Sequence, residues 1–267
     1  MINFYMYSNP TYIDLVKVAV HSFNKHMTNS RIYVVCDELY LEAMSKALKD
    51  YCPVLPVPHI NTVDINSLSK EFDMNCLVQK LQIMQQYSKE DTFSFFVDAD
   101  VLFLRDFSKD LLEYCDKYKD KLFIGVKDPI VLPQSSYNMG AFKYINTGFV
   151  GFKQVPKTIV EDFITWAKNS RNKVARLYPE QGFIASIYGN KNKVGYLPFY
   201  MNTIINAIAN AEDGTTPAMV HFVSKKPGCE TSFKQLRLLP TWSVPLLICS
   251  KYHELWLKEA KECGYEF

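Results

Sequence analysis

Short apolar runs alternate with helix-patterned segments through the first hundred residues, and this alternation constrains the fold more than any other feature. Residues 2–7, 32–36 and 92–97 are short and rich in β-branched and aromatic side chains, the pattern of strands buried on both faces. Between the first two, Leu15, Val16, Ala19, Val20 and Phe23 fall at helical spacing. They follow Asn9-Pro10, which reads as an N-cap with Pro at the first helical position. Leu41, Met44, Ala47 and Leu48 mark a second helix, and Met74, Leu77, Val78, Leu81 and Met84 a long one. Pro53, Pro56 and Pro58 rule out a long regular element between those two. Repeated strand–helix–strand units predict an α/β fold with a mainly parallel central sheet covered by helices on both faces. Ligands of such sheets bind beyond the carboxyl ends of strands. Tyr7-Ser8-Asn9, Asp37 and the segment after residue 97 all sit at such ends and are expected to share one crevice.

That last segment carries the chemistry. Asp98 and Asp100 interrupt the otherwise apolar run of residues 95–104. Strand alternation would aim both carboxylates to one side, where like charges beside a core need a positive partner. Hard oxygen ligands favour Mg²⁺ or Mn²⁺ over zinc. The bland alternative is a strand end whose aspartates meet solvent and start a turn.

Composition fits a folded protein with a large core: 267 residues, 48% hydrophobic and 22% charged. The 17 Tyr and 18 Phe are a surplus, most of it expected in the core. A net charge of +2 gives no electrostatic case for nucleic acid or for general membrane adhesion. Seven cysteines without a C-x-x-C pair point to reduced, mostly buried thiols and a cytoplasmic protein. No signal-peptide pattern opens the chain, and no apolar stretch reaches transmembrane length.

The second half is less regular. Residues 122–126, 144–152 and 219–223 read as strands, and 159–167 and 252–263 as helices, the latter stopped by Gly264. Residues 129–142 read as a loop. Several polar groups stand out against these elements. Lys80, taken alone, reads as a snorkelling surface lysine. Gly148 in Asn146-Thr147-Gly148 marks a bulge or a close approach. Glu180-Gln181 reads as an acidic first helical turn, and His221 as a structural histidine.

As an ordered set these motifs resemble the metal-dependent retaining glycosyltransferases of the glycogenin and lipopolysaccharide α-galactosyltransferase type, family 8-like enzymes with the GT-A fold. The resemblance runs through Lys80-Leu81, Phe96-Val97-Asp98-Ala99-Asp100-Val101-Leu102 and Tyr144-Ile145-Asn146-Thr147-Gly148-Phe149. It continues through Glu180-Gln181-Gly182, Leu197-Pro198-Phe199, His221-Phe222 and Lys226-Pro227. It implies a catalytic domain over residues 1–230, with residues 231–267 as a helical extension packed on it. It also implies transfer of a sugar from a UDP-sugar to a glycan or lipid-linked saccharide, with anomeric configuration retained. Asp98, Asp100 and His221 would hold Mn²⁺ or Mg²⁺. Lys80, Ala99, Asn146, Thr147, Gly148 and Lys226 would contact the donor, while Tyr7, Ser8, Asn9 and Tyr12 cradle its uridine. Gln181 and Glu180, with Asp100, would form the catalytic group.

Two departures stand against the family pattern. Glu180 replaces the usual Asp. After His221, Ser224 stands where Gly is usual, the approach to Lys226 is one residue shorter, and Gly228 replaces Trp, which puts the phosphate role of Lys226 in question. The competing readings are a sugar-nucleotide hydrolase or nucleotidyltransferase and a non-catalytic nucleotide-sugar or carbohydrate-binding protein. A nucleotidyltransferase would carry a glycine-rich basic loop after its first strand, which Tyr7-Ser8-Asn9-Pro10 lacks. Residues 242–247 and the final helix pack on the core or, less in keeping with their short apolar stretch, touch the inner face of a membrane.

Overall fold

A computed structural model describes residues 1–59, 74–128, 144–169, 179–205, 216–222 and 243–264. β1 (Ile2–Tyr7), β2 (Ser30–Asp37), β3 (Val54–Val57) and β4 (Ser94–Val97) form one half of a seven-stranded sheet. β6 (Phe123–Lys127), β7 (Ile145–Phe152) and β8 (Val194–Leu197) complete it in the order β3-β2-β1-β4-β7-β6-β8. β1 pairs in parallel with both β2 and β4, as do β2 with β3 and β6 with β8. Among the described strands of this sheet, only β7 runs antiparallel to its neighbours. The sheet is therefore mixed but mostly parallel, and β6 and β8 share the direction of β1, β2 and β4. Pro56 lies in β3, an edge strand, where a missing ladder donor is tolerated.

Strand alternation sorts the core into two layers. Phe4, Met6, Ile32, Val34 and Phe95 pack against α1 (Ile13–His26), α2 (Leu41–Leu48) and α4 (Ser108–Lys117). Tyr5, Val35, Phe96, Val150 and Phe152 face α3 (Met74–Tyr87), α5 (Ile159–Asn169) and α6 (Pro179–Ile184). Among the described residues the largest fully buried side chains are all phenylalanines, so the phenylalanine part of the aromatic surplus is largely core, whereas Tyr12 and Tyr40 are exposed. Cys36 is buried, but Cys52, Cys76, Cys115 and Cys263 are only half-buried, which corrects the expectation of mostly buried thiols.

A second, three-stranded sheet stands beside the carboxyl edge: β5 (Val101–Phe103), β10 (Met219–His221) and β9 (Thr203–Ile204). It carries the last helix, α7 (Ser243–Glu262), which begins well before residue 252. Tyr252, Trp256 and Ala260 of α7 pack with Val18, Leu102, Val220 and Phe222. Gly264, at φ 85°, closes the helix as its sequence position predicts. Among the described residues no helix is long and apolar enough to cross a membrane. The expected boundary near residue 230 falls outside the described residues.

Candidate active site

β4 ends at Val97, so Asp98 and Asp100 lie in the turn before β5 and not in a strand. Their common orientation therefore comes from a tethered turn, which corrects the pleat argument. Asp98 N donates to Gly148 O at 2.8 Å, and Phe222 N donates to Asp100 O at 2.9 Å. The turn is thus stitched to β7 on one side and to the chain leaving β10 on the other. β5 pairs with β10 so that Val101 lies opposite His221. His221 Nε2 then stands 3.2 Å from Asp100 Oδ1 and 3.7 Å from Asp98 Oδ2. One ligand atom from each of the three residues lies within 4.8 Å of the others.

Gly148 makes that arrangement sterically possible. A Cβ there would sit 2.0 Å from His221 Cε1 and 2.7 Å from its Nδ1. The glycine marks a close approach, but by a side chain of the same protein; the register irregularity of this ladder lies elsewhere, between Gly125 and Lys127.

Lys80 is not a surface residue. It is 4% exposed, and its Nζ lies 3.1 Å from Asp98 Oδ1 and 3.5 Å from Glu180 Oε1. It also donates to Thr147 O at 3.4 Å and sits 4.9 Å from the Phe96 ring centre. Burial alone would discharge this ammonium, but Asp98 and then Glu180 outweigh it and hold the pKa above the ordinary lysine value. Burial raises the Asp98 carboxyl above its usual range despite the pull of Lys80 and His221. Asp100 is also pushed up by burial, yet His221 beside it brings it below the usual value. His221, which burial would keep neutral, is raised by Asp100 and Asp98.

On the other side of Lys80 the polar side chains form one network. Thr147 Oγ1 donates to Glu180 Oε1 at 2.7 Å. Gln181 Oε1 accepts from Thr147 N at 3.1 Å and from Asn146 Nδ2 at 3.3 Å. Gln181 Nε2 and Asn146 Nδ2 both donate to Asp128 Oδ2, each at 3.1 Å. Asn202 Nδ2 donates to Asn146 Oδ1 at 3.0 Å. Asp128 and Asn202 were not singled out in the sequence, although a usable signal exists. Both follow strands, β6 and β8, that run parallel to β1 and so end at the same sheet edge.

The first strand ends reach the same edge. Ser8 is buried and continues the ladder through Ser8 N to Val35 O at 2.9 Å. Asn9 Oδ1 accepts from Thr11 N at 2.9 Å, capping a short 3-10 turn (Pro10–Tyr12) ahead of α1. Tyr7 is half-buried against the second core layer, and Tyr12 is exposed. Asp37 Oδ1 caps the next turn through Leu39 N at 2.9 Å, and its Oδ2 pairs with His59 Nδ1. Ala99 lies between the two aspartates and packs on the first core layer. Lys226, with Ser224 and Gly228, lies outside the described residues, as do residues 129–143.

No family model matches the sequence, and no curated protein does. Solved structures do match. The galactosyltransferase LgtC, in complex with donor and acceptor sugar analogues, superposes with a TM-score of 0.66 at 16% identity, covering 100% of this chain and 98% of that one. This is the GT-A glycosyltransferase fold. Two further structures share the GT-A fold at lower scores. The glycosyltransferase GlyE of Streptococcus pneumoniae TIGR4 matches at TM-score 0.58 and 16% identity, over 94% of this chain and 64% of that one. Mouse xyloside xylosyltransferase 1 matches at TM-score 0.56 and 12% identity, over 85% and 98%. The paired aspartates stand at the carboxyl edge of this GT-A sheet, where a fold of this kind places its ligand.

The three converging groups suit a divalent cation. Two carboxylates and one imidazole are a donor set for Mn²⁺ or Mg²⁺. Without a cation, Lys80 faces Asp98 and Glu180, and the His221 imidazole faces Asp100. The buried Nδ1 of His221 has no hydrogen-bond partner, and Nε2 is the nitrogen aimed at the carboxylates.

Proposed function

We propose that this protein is a metal-dependent retaining glycosyltransferase that moves a sugar from a UDP-sugar to a glycan or lipid-linked saccharide. The observation that carries the reading is Lys80, a buried cation wedged between the Asp98/Asp100/His221 cluster and the amide–carboxylate network around Gln181. A charge-balancing half and a hydroxyl-binding half, joined by a fixed cation, match the two ends of a nucleotide-diphosphate sugar.

Asp98, Asp100 and His221 would hold Mn²⁺ or Mg²⁺, which when bound neutralises charge on a departing diphosphate. Lys80 adds a pre-oriented positive charge that costs no reorganisation during reaction. Asn146, Asp128 and Glu180 present acceptors and donors suited to sugar hydroxyls. Gln181 has both ends of its amide engaged, so its orientation is fixed. An amide so held is a positioning group and a poor nucleophile. Glu180 is itself tied to Thr147 and Lys80. We therefore favour same-face attack by the acceptor, with the leaving phosphate taking its proton. One of the matching structures is an active-site mutant of LgtC in which a glutamine is replaced by glutamate, which supports placing Gln181 at the reacting centre. Ser8, Asn9 and Tyr12 would hold the uridine at the neighbouring strand end, and Lys226 would add charge at the phosphates.

The test is thermal stability of the purified protein with nucleotides and nucleotide sugars, in Mn²⁺ or in EDTA. Stabilisation by UDP and one UDP-sugar that disappears in EDTA is expected. A folded protein indifferent to every nucleotide overturns the reading. Asp100→Asn separates the enzyme from a non-catalytic binder: metal-dependent turnover of the UDP-sugar should disappear while the fold persists.

A further inference from the structure

A second group of metal-ligating side chains lies away from the site above, where α1 meets α7. His21 and Lys25 occupy one face of α1, and Glu259 and Glu262 the facing side of the last turns of α7. His21 Nε2 is 3.4 Å from Glu259 Oε2 and 3.4 Å from Glu262 Oε2. One ligand atom from each of these three residues lies within 4.8 Å of the others. A tetrahedral ion with bonds of about 2.1 Å has ligand–ligand edges of about 3.4 Å. Both edges at His21 match that spacing, and at 3.4 Å the contact with Glu262 is a long hydrogen bond that a bound ion would replace.

The second observation is at Glu259. The residue is only 9% exposed, and its Oε2 is a buried oxygen that accepts no hydrogen bond. Its Oε1 is already taken by Lys25 Nζ at 2.7 Å. An enclosed carboxylate oxygen without a hydrogen bond is costly, and the neighbour of this one is His21 Nε2 at 3.4 Å. The His21 and Glu262 side chains are 33% and 38% exposed, so the cluster opens to solvent.

We propose that His21, Glu259 and Glu262 form a zinc site that ties α7 to α1. The donor types are those of the Asp98 cluster, so the choice of Zn²⁺ rests on the two 3.4 Å edges at His21, which are those of a tetrahedron. Lys25 is the built-in competitor. Its ammonium also lies 3.1 Å from Glu262 Oε2, and its side chain is 41% exposed, so it can swing into solvent when an ion arrives. Cys263, next in sequence, donates its thiol to Lys17 O at 3.8 Å and is not part of the ligand set. The site is independent of the transferase reading.

Co²⁺ serves as the spectroscopic stand-in for Zn²⁺, titrated into the tag-free full chain. The paired variant Asp98→Asn with Asp100→Asn is expected to bind one equivalent with the intense visible bands of a tetrahedral site, and Zn²⁺ should displace it. Adding His21→Ala should abolish that binding. Lys25→Met should tighten it at least tenfold, because it removes a positive charge from two of the ligands. If the aspartate variant fails to fold, the same comparison of wild type with His21→Ala is made in excess Mg²⁺. Absence of the bands, their survival in His21→Ala, or thiolate absorption in their place overturns the proposal.

Discussion

Lys80 shows how one residue can decide the character of a site. An unpaired buried ammonium would be discharged, so its retention depends on Asp98 and Glu180, and their burial depends in turn on it. Lys80→Met keeps the stem and removes the charge, leaving two carboxylates without their shared partner. Removing one member of a buried pair costs about 3–5 kcal/mol; the partial exposure of Asp98 puts the expectation near the lower figure, about 3 kcal/mol. Denaturant unfolding measures it, and the deficit should be smaller in Mn²⁺ than in EDTA, because a bound cation takes over part of the compensation. An unchanged stability in EDTA would contradict the buried-pair account. Gly148→Ala tests the same site from the steric side. The new Cβ meets the His221 ring, which has no solvent to move into. Overpacking of this kind costs about 1–3 kcal/mol, and a displaced imidazole should weaken Mn²⁺ binding at least tenfold in calorimetry.

At the scale of elements, what was legible in the sequence is what local patterning controls. β1, β2, α1, α2 and α3 follow from runs and spacings whose hydrophobic period is intact, and Gly264 stops α7 where it should. The reversed direction of β7 was not legible, because strand direction is set by pairing with β4 and β6, partners far along the chain. β5, β9 and β10 are two or three residues long, too short to carry a period. That is why Asp98 and Asp100 read as strand-borne when a turn holds them. Lys80 was misjudged alone for the same reason: no local pattern reveals that Glu180, a hundred residues later, will face it. Asp128 was missed although the strand-end rule applied to it. One element-level prediction concerns the start of α4. Asp106 lies in the turn before that helix, and Ser108 N donates to its Oδ1 at 2.8 Å while Thr28 Oγ1 donates to Oδ2 at 3.2 Å. Burial nudges this carboxyl up, but these hydrogen bonds outweigh it and hold the pKa below the usual value. A folded pKa below the unfolded one gives stability that is present above about pH 4 and lost as pH falls through the folded value. Asp106→Asn should therefore be less stable than wild type at pH 7, by no more than about 1 kcal/mol for a capping group this exposed, and the gap should close at pH 3. Melting curves at the two pH values decide it, and a gap that widens in acid would refute the assignment.

For the whole molecule the question is why an enzyme-like site built on the large sheet should involve a helix at the other end of the chain. The connection is the small sheet. β5 leads directly out of the aspartate turn, β10 delivers His221, and the next residue, Phe222, is completely buried beneath α7. Phe222 meets the His253 ring at 5.1 Å and shares its cluster with Tyr252, Trp256 and Ala260. α7 is in turn held to α1 by Lys25, which reaches both Glu259 and Glu262. The position of one imidazole at the site thus depends on a stack that runs through the last helix back to the first. Trp256→Ala removes the largest member of that stack and should cost about 3–5 kcal/mol. If α7 only added general stability, Mn²⁺ affinity in the folded protein would stay at the wild-type value. If α7 positions His221 through Phe222, affinity should fall together with stability, while Trp256→Phe restores most of both. A comparable loss of stability made elsewhere, with Phe163→Ala in the layer facing α3 and α6, supplies the control and should leave Mn²⁺ affinity untouched.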